Sequence, residues 1–97
     1  VRVSFALDSA VAWRLPHNFA HAGGSVRYGI SGSGPPLVLV HGTPWSSFNW
    51  RHVIAALEPR WRIHYYDLLG YGQSEQREGQ DVSLGMQNGL LCALLDH

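Results

Sequence analysis

The chain has 97 residues, a length that suits a single domain, and 45% of them are hydrophobic, which is enough to build a core. Seven arginines balance seven acidic residues, so the net charge is zero and the basic surplus typical of nucleic-acid binding is missing. No apolar run reaches the roughly 20 residues that a bilayer-spanning helix needs. The single cysteine, Cys92, excludes an internal disulfide and favours a reducing compartment, so we expect a cytoplasmic protein. From the balanced charge and the short apolar runs we expect no nucleic-acid or membrane partner.

The first part of the chain predicts a lead-in tail followed by a hairpin. Residues 1–16 show no sustained periodicity and end at a proline, so we interpret them as a lead-in to a domain at 17–97. Residues 17–22 are a weak strand candidate, and Gly23-Gly24 is a two-residue turn signal. Residues 25–30 alternate between apolar and polar positions, so the pair predicts an antiparallel hairpin.

The middle of the chain predicts a parallel strand-helix-strand unit. Leu37 to Val40 is an apolar run without alternation, which is typical of a strand covered on both faces. Ser46 or Ser47 can cap a helix whose apolar residues recur at helical spacing until Pro59. Residues 62–67 are rich in strand formers and complete the crossover.

The end of the chain predicts a glycine-containing loop and a second helix. The loop covers residues 68–81, and the helix covers residues 83–96. The helix is apolar or small almost all round, a pattern typical of a buried helix. We therefore interpret Cys92 as an inert core thiol, and we expect something beyond this chain to bury the helix.

Two sequence blocks carry a family resemblance. The first, residues 32–44, reads GSGPPLVLVHGTP, and the second, residues 66–74, reads YDLLGYGQS. The first resembles the third strand and oxyanion loop of the α/β-hydrolase family, and the second resembles the D-x-x-G-x-G-x-S turn after the family's fourth strand. With Trp50-Arg51 between them, the loop looks most like the epoxide hydrolase and haloalkane dehalogenase branch.

The resemblance implies an incomplete α/β fold. It predicts an antiparallel hairpin leading into parallel strands with flanking helices, as the N-terminal portion of an α/β-hydrolase sheet. The family's nucleophile sits in a G-x-[Ser/Asp/Cys]-x-G turn, followed later by an acid and a histidine, and no such turn occurs here. We therefore expect the parent protein to be an enzyme and the isolated chain to be inactive. The family pairs its third strand with a fifth, so we also expect self-association through an unpaired strand edge.

Thr43 is the candidate catalytic residue, through its backbone N–H. The loop after a parallel strand lies at the carboxyl edge of the sheet, where open α/β folds bind ligands. Pro44 has no N–H and can only shape the loop. By resemblance, Thr43 is the first oxyanion donor, and Trp45 is a substrate-binding candidate that lines the cavity or offers its N–H. The alternative is that the loop is merely a tight turn.

The implied reaction is hydrolysis of a small, largely apolar molecule, such as an ester or an epoxide, through a covalent ester intermediate and without metal or cofactor. Dehalogenases often place Asn at the position of Thr43 as a halide ligand, and threonine is a poorer halide donor. The nucleophile type stays open between Ser, Asp and Cys. The competing interpretation is a truncated, non-catalytic binding or interaction piece that kept the fold. A nucleotide-binding unit is disfavoured because no glycine fingerprint follows a strand.

Other residue combinations have simpler structural explanations. His41, Asp67 and a nearby serine could be drawn as a triad, but His41 resembles a scaffold histidine. Asp67 is expected to hold the following loop by hydrogen bonds, with Gly70 and Gly72 allowing sharp backbone turns. His17 and His21 are too far apart on a strand, and lack the further ligands, to indicate a metal site.

Overall fold

A four-stranded mixed sheet organises the protein in the computed structural model, which describes residues 13–42 and 45–97. Within these residues the strands lie in the order β1-β2-β4-β3, flanked by two α-helices and a short 3-10 turn. The elements in chain order are β1 His17–Phe19, β2 Val26–Ser31, β3 Pro36–Val40, the 3-10 turn Ser47–Trp50, α1 Arg51–Leu57, β4 Arg62–Tyr66 and α2 Leu84–Asp96.

The N-terminal hairpin forms as predicted, but with a longer connection. β1 pairs antiparallel with β2, and Phe19 lies opposite Val26, which leaves six residues between the strands. The connection is therefore longer than the two-residue turn predicted at Gly23-Gly24, and the tight turn within it lies one residue earlier, where the backbone N–H of Gly24 donates to the carbonyl of His21 at 2.9 Å. Gly24 has a φ of 139°, which favours glycine, and a Cβ there would also lie 2.6 Å from the Leu69 side chain.

The predicted parallel crossover is confirmed. β3 pairs in parallel with β4, and Leu37 lies opposite Ile63. In the connection between them, the Ser46 hydroxyl accepts a hydrogen bond from the N–H of Phe48 at 3.3 Å and so caps the 3-10 turn. Because the two strands are parallel, the loops that follow them emerge at the same edge of the sheet.

The core lies between the sheet and α2. Its buried members are Val26, Tyr66, Leu68, Leu69 and Leu90. The N-cap of α2 is Ser83, whose hydroxyl accepts from the N–H of Met86 at 3.2 Å. The helix boundary predicted from the sequence is thus confirmed, and Leu90 is the residue of α2 that the core buries completely.

Residues 13–16, which the sequence placed in the lead-in tail, are packed against the sheet. Leu15 is buried, and its N–H donates to the side-chain oxygen of Gln73 at 2.9 Å. The Leu15 carbonyl accepts two hydrogen bonds from the guanidinium of Arg27. Residues 1–12 of the predicted tail lie outside the described residues.

Two apolar surfaces are uncovered within residues 13–42 and 45–97. β3 has β4 on one side and no strand on the other, and Val40 is 41% exposed. On α2, Leu84 and Leu95 are largely exposed, and so is Cys92. The interpretation of Cys92 as a core thiol is therefore wrong for the described part of the chain, in which no residue covers that side of α2. None of the helices in this part of the chain has the length and hydropathy that crossing a membrane requires.

We expect the 97-residue chain to associate through the free edge of β3, because unpaired strand edges template pairing with other chains. Sedimentation velocity over a range of protein concentrations should show oligomers, and a hydrophobic dye should bind. Val40→Lys should reduce association by placing a charge on the edge. Val53→Lys, a comparable change on the exposed side of α1, should leave association unchanged. A sharply melting monomer that binds no dye would contradict this expectation.

Candidate active site

Two loops meet at the carboxyl ends of the parallel strands β3 and β4. The first follows Val40 and contains His41, Gly42 and Trp45; the second follows Tyr66. Thr43 and Pro44, the residues predicted to supply and shape the oxyanion loop, lie outside the described residues. The roles predicted for Thr43 and Trp45 stay predictions, and the flanking residues define where the loop leaves the sheet and where it returns.

The loop folds back on itself beside a buried histidine. The backbone N–H of Trp45 donates to the carbonyl of Gly42 at 2.9 Å, while the Trp45 side chain is 58% exposed. His41 is buried, with its Nε2 accepting from the N–H of Leu68 at 2.8 Å and its Nδ1 lying 2.8 Å from the Gly42 carbonyl oxygen. The interpretation of His41 as a scaffold histidine is therefore confirmed.

A cleft of about 410 Å³ opens against this loop. Its wall joins the end of β3 to the loop after β4 and to the first half of α2. The lining residues are Val40, His41, Gly42, Tyr66, Leu68, Tyr71, Val82, Leu84, Gln87, Asn88 and Leu91. Among the described residues, the lining contains no Asp, Glu or Arg, and burial raises the pKa of Tyr66 to about 12, so its phenol is neutral at physiological pH. Such a cleft suits an uncharged, apolar ligand.

A second cleft of similar volume lies between the sheet and the last turns of α2, near Arg62, His64 and His97. Burial, with a smaller contribution from Arg62, lowers the pKa of His64 from its ordinary value. This cleft does not include the loop after β3. It opens beside the last turns of α2, away from that loop, and is therefore not part of the candidate site.

Asp67 joins the two loops. One carboxylate oxygen accepts from the backbone N–H of Ser47 at 2.7 Å, and the other accepts from that of Gln73, also at 2.7 Å. The Ser74 hydroxyl donates to the Asp67 carbonyl at 2.5 Å and accepts from the N–H of Arg27 at 3.0 Å. The predicted structural role of Asp67 is confirmed, because both of its side-chain oxygens bind backbone groups.

The triad drawn from His41, Asp67 and a serine does not form. Both imidazole nitrogens of His41 contact backbone atoms. The Ser47 hydroxyl accepts from the indole N–H of Trp13 at 3.0 Å, and the Ser74 hydroxyl bonds to the backbone of Asp67. Each of these serine hydroxyls therefore stabilises a loop and is not paired with a base.

The two histidines of the hairpin also have local roles. The ring of His17 stacks on that of Tyr28, with centroids 5.0 Å apart, and Nδ1 of His21 accepts from the N–H of Gly23 at 3.1 Å. In the described ranges 13–42 and 45–97, no three His, Cys, Asp or Glu side chains form a group that could hold a metal ion.

Two glutamines that no sequence motif marked form hydrogen bonds between the site and segments distant in the chain. Gln87 on α2 accepts from the N–H of Leu69 at 3.1 Å and donates to its carbonyl at 2.8 Å. Gln73 binds the backbone of both Trp13 and Leu15. A polar residue in the apolar stripe of α2 is the sequence signal for Gln87, whereas nothing local indicates the partners of Gln73.

The sequence of residues 35–97 matches the family model of the alpha/beta hydrolase fold. This chain belongs to the alpha/beta hydrolase fold family. A solved alpha/beta hydrolase fold protein from Burkholderia ambifaria is 52% identical and superimposes with a TM-score of 0.81, covering 87% of this chain and 31% of that protein.

The similar curated proteins are hydrolases of three kinds. Haloalkane dehalogenase 2 of Mycobacterium tuberculosis is 35% identical over 79 residues, which are 81% of this chain and 28% of the relative. A pimeloyl-[acyl-carrier protein] methyl ester esterase of Vibrio atlanticus is 45% identical over 53 residues, 55% of this chain and 20% of the relative. A soluble epoxide hydrolase of Corynebacterium is 47% identical over 51 residues, 53% of this chain and 18% of the relative. The chain thus spans less than a third of the length of the relatives it matches.

Asp67→Asn should lower the free energy of unfolding by about 1–3 kcal/mol, because an amide offers one acceptor oxygen where the carboxylate offers two, which leaves a buried N–H unpaired. Urea denaturation at low protein concentration measures the change. Asp96→Asn, the same chemical change on an exposed residue, should stay within about 0.5 kcal/mol. Equal effects of the two substitutions would contradict the bridging role.

Gly72→Ala and Gly89→Ala should change stability in opposite directions. Gly72 has φ of 53°, and a Cβ there would lie 2.2 Å from a carboxylate oxygen of Asp67, so alanine should destabilise by more than about 1 kcal/mol. Gly89 lies inside α2 with nothing within 4 Å, so alanine should stabilise by about 0.5–1 kcal/mol. Thermal and urea unfolding of the two variants test this, and a stabilising Gly72→Ala would contradict the close approach.

Proposed function

We propose that this chain supplies the oxyanion loop of an α/β-fold hydrolase that acts on a small, largely apolar molecule through a covalent ester intermediate. The observation that carries the proposal is the position of the His41-Gly42 loop, at the carboxyl edge of two parallel strands and against an uncharged cleft. In this proposal the backbone N–H of Thr43 is the first oxyanion donor.

The proposed donor has the same task whichever nucleophile the enzyme uses. A serine or cysteine attacks the carbonyl of a substrate ester and expels its alcohol, whereas an aspartate attacks an epoxide carbon and breaks the ring C–O bond. The product is an ester or thioester with the enzyme, and water then attacks its carbonyl. The attack places negative charge on the carbonyl oxygen in a tetrahedral state, where an N–H at about 2.7–3.1 Å stabilises it. The intermediate collapses when the bond to the nucleophile, or to the bound substrate oxygen, breaks. A second donor comes from the residue after the nucleophile in the family's arrangement.

The cleft and the relatives both support an apolar substrate class. The cleft of about 410 Å³ is large enough for a small molecule, and its lining is mostly Val, Leu and Tyr with the amides of Gln87 and Asn88. The relatives are named for haloalkanes, an epoxide and a methyl ester. Trp45 is exposed beside the loop and does not line the cleft as it stands, so its contact with the substrate is part of the proposal.

An epoxide or an ester suits this loop better than a haloalkane. The side chain of Thr43 offers a single hydroxyl, whereas an amide side chain at that position would donate an N–H to a departing halide. The proposed reaction therefore depends on the backbone N–H of Thr43 and not on its side chain.

A non-catalytic binding piece is the second candidate function. The uncovered edge of β3 and the exposed apolar residues of α2 favour it, because such surfaces mark interaction sites. The two candidates differ in whether the loop stabilises a transition state once a nucleophile is present.

A chimera distinguishes them. This chain would replace the matched segment of the Corynebacterium soluble epoxide hydrolase, and the amide between Gly42 and Thr43 would be changed by semisynthesis to an ester, which replaces the Thr43 N–H with oxygen and also weakens the Gly42 carbonyl as an acceptor. We expect the parent chimera to hydrolyse an epoxide and the ester-linked form to lose about 10²–10³-fold in kcat. Thr43→Ala, which keeps the N–H, should leave kcat nearly unchanged.

The 97-residue chain alone is the negative control and should turn over neither epoxides nor p-nitrophenyl esters. An ester-linked chimera as active as its parent would overturn the role of Thr43. An inactive parent chimera that still folds and binds apolar ligands would favour the non-catalytic piece.

A further inference from the structure

Residues 13–15, Trp-Arg-Leu, pack against the sheet although they belong to no strand or helix. Pro16 follows them and favours extended backbone at Leu15, the residue before it. The side chains of the segment alternate in exposure: Trp13 is half-buried, Arg14 is exposed and Leu15 is only 1% exposed. Alternating burial of side chains along an extended segment is also how proteins bind peptide ligands.

The backbone of this segment is held by side chains from distant parts of the chain. The carboxamide of Gln73 donates to the Trp13 carbonyl and accepts from the N–H of Leu15 at 2.9 Å. In an extended segment these two backbone groups flank Arg14 on one side, where an adjacent strand would otherwise bind them. The guanidinium of Arg27 donates twice to the Leu15 carbonyl, at 3.1 and 2.6 Å. Gln73 and Arg27 therefore supply the hydrogen bonds that a neighbouring strand would supply.

The side chain of Trp13 adds contacts that depend on its chemical identity. Its indole N–H donates to the hydroxyl of the buried Ser47 at 3.0 Å. Its ring meets the ring of Phe48 edge-on, with centroids 6.1 Å apart, and lies tilted on Tyr65 at 5.6 Å. A phenylalanine in place of Trp13 would keep the ring contacts but would leave the Ser47 hydroxyl without this donor. These contacts select an indole at the first position of the segment.

Asp67 holds two of the residues that bind the segment. The backbone N–H groups of Ser47 and Gln73 both donate to its carboxylate, at 2.7 Å each. The Ser47 hydroxyl and the Gln73 carboxamide are therefore presented from loops whose separation does not depend on the segment. Such preorganisation lowers the ordering cost when a ligand binds.

We propose that the segment is the resident ligand of a peptide-binding site that recognises an extended Trp-x-Leu sequence. This site, the peptide groove, is formed by Arg27, Ser47, Phe48, Tyr65 and Gln73. None of these five residues lines the cleft of the candidate active site, so the proposal is independent of the proposed function. A Trp-x-Leu peptide of another chain occupies the groove only when the tethered segment leaves it.

Emptying the groove tests whether it binds a peptide that is not tethered. Trp13→Ala with Leu15→Ala removes both anchors of the segment and keeps every residue of the groove. Both this double variant and the otherwise unaltered chain carry Val40→Lys, which should limit association. The probe is a dye-labelled peptide of residues 12–17 with blocked ends, and its fluorescence anisotropy is measured.

We expect saturable binding of this peptide to the double variant. Binding to the chain that keeps Trp13 and Leu15 should be at least about 10-fold weaker, because the tethered segment competes at a high effective concentration. Equal affinity for the two proteins would overturn the proposal. A double variant that folds, as judged by circular dichroism, and binds no peptide would also overturn it.

Changes in the peptide and in the groove test the contacts one at a time. Trp13→Phe in the peptide, and an ester in place of the amide between Arg14 and Leu15, each remove one hydrogen bond and should weaken binding about 3–10-fold. Gln73→Ala in the protein should weaken it about 10-fold, because two bonds are lost. The control is Arg14→Ala in the peptide, which removes an exposed side chain that bonds to the carbonyl of Trp13 in the same segment. It should change the affinity by less than about 2–3-fold, and a loss as large as that of Trp13→Phe would contradict specific recognition.

Hydrogen exchange tests the separability of the segment without an emptied groove. A docked ligand leaves by local opening, so in the unaltered chain the protection factor of the Leu15 N–H should be at least about 10-fold lower than those of the β4 amides. Gln73→Ala should lower the protection of the Leu15 N–H further and leave the protection of β4 unchanged. A Leu15 N–H that exchanges together with β4 would overturn the proposal, because the segment would then leave only when the sheet unfolds.

Discussion

Two backbone N–H groups meet on the buried carboxylate of Asp67, and the arrangement of the candidate site depends on this interaction. One N–H begins the 3-10 turn after β3 and the other lies in the loop after β4. Each would cost free energy if buried without a partner, and a short side chain with two acceptor oxygens serves both at once. The two loops are thereby held at a constant separation, and the cleft lies where they meet α2.

His41 connects the same pair of loops at a second point. Its bonds to Leu68 and Gly42 run from the loop after β4 to the loop after β3, as those of Asp67 do. A site held by internal bonds needs little reorganisation when charge develops, and this preorganisation is the main source of oxyanion stabilisation in enzymes. Such rigidity is what the proposed role of Thr43 requires, because a donor contributes most when its direction is set before the substrate arrives.

The described residues leave apolar surfaces uncovered, and the chain matches only part of the length of its relatives. The free edge of β3 and the outer side of α2 are apolar, and the chain covers less than a third of the length of the hydrolases it matches. The proposed chemistry also needs a nucleophile turn that these 97 residues do not contain. In the function that we propose, the loop and the cleft form one side of a larger catalytic site.

Local patterns in the sequence determined the elements and their order. The apolar run at residues 37–40, the serine caps and the strand formers at residues 62–67 predicted the parallel crossover, because each depends on side chains adjacent in the chain. Two motifs in the family's order predicted the candidate loop and the structural role of Asp67. These features could be predicted because their physical causes are short in range.

Tertiary structure alone decided which side chains hold the loops and which surfaces are buried. Gln73 reaches Trp13 across 60 positions and Leu15 across 58, and no periodicity encodes such a pairing. The hairpin connection is longer than predicted, and within it Gly24 lies against Leu69, a contact between segments far apart in the chain. Cys92 became exposed because apolar character commits a helix face to burial only where another surface exists to cover it. Long-range contacts depend on how whole elements pack. The sequence therefore determined the secondary structure of each segment, and the packing of the elements determined its contacts.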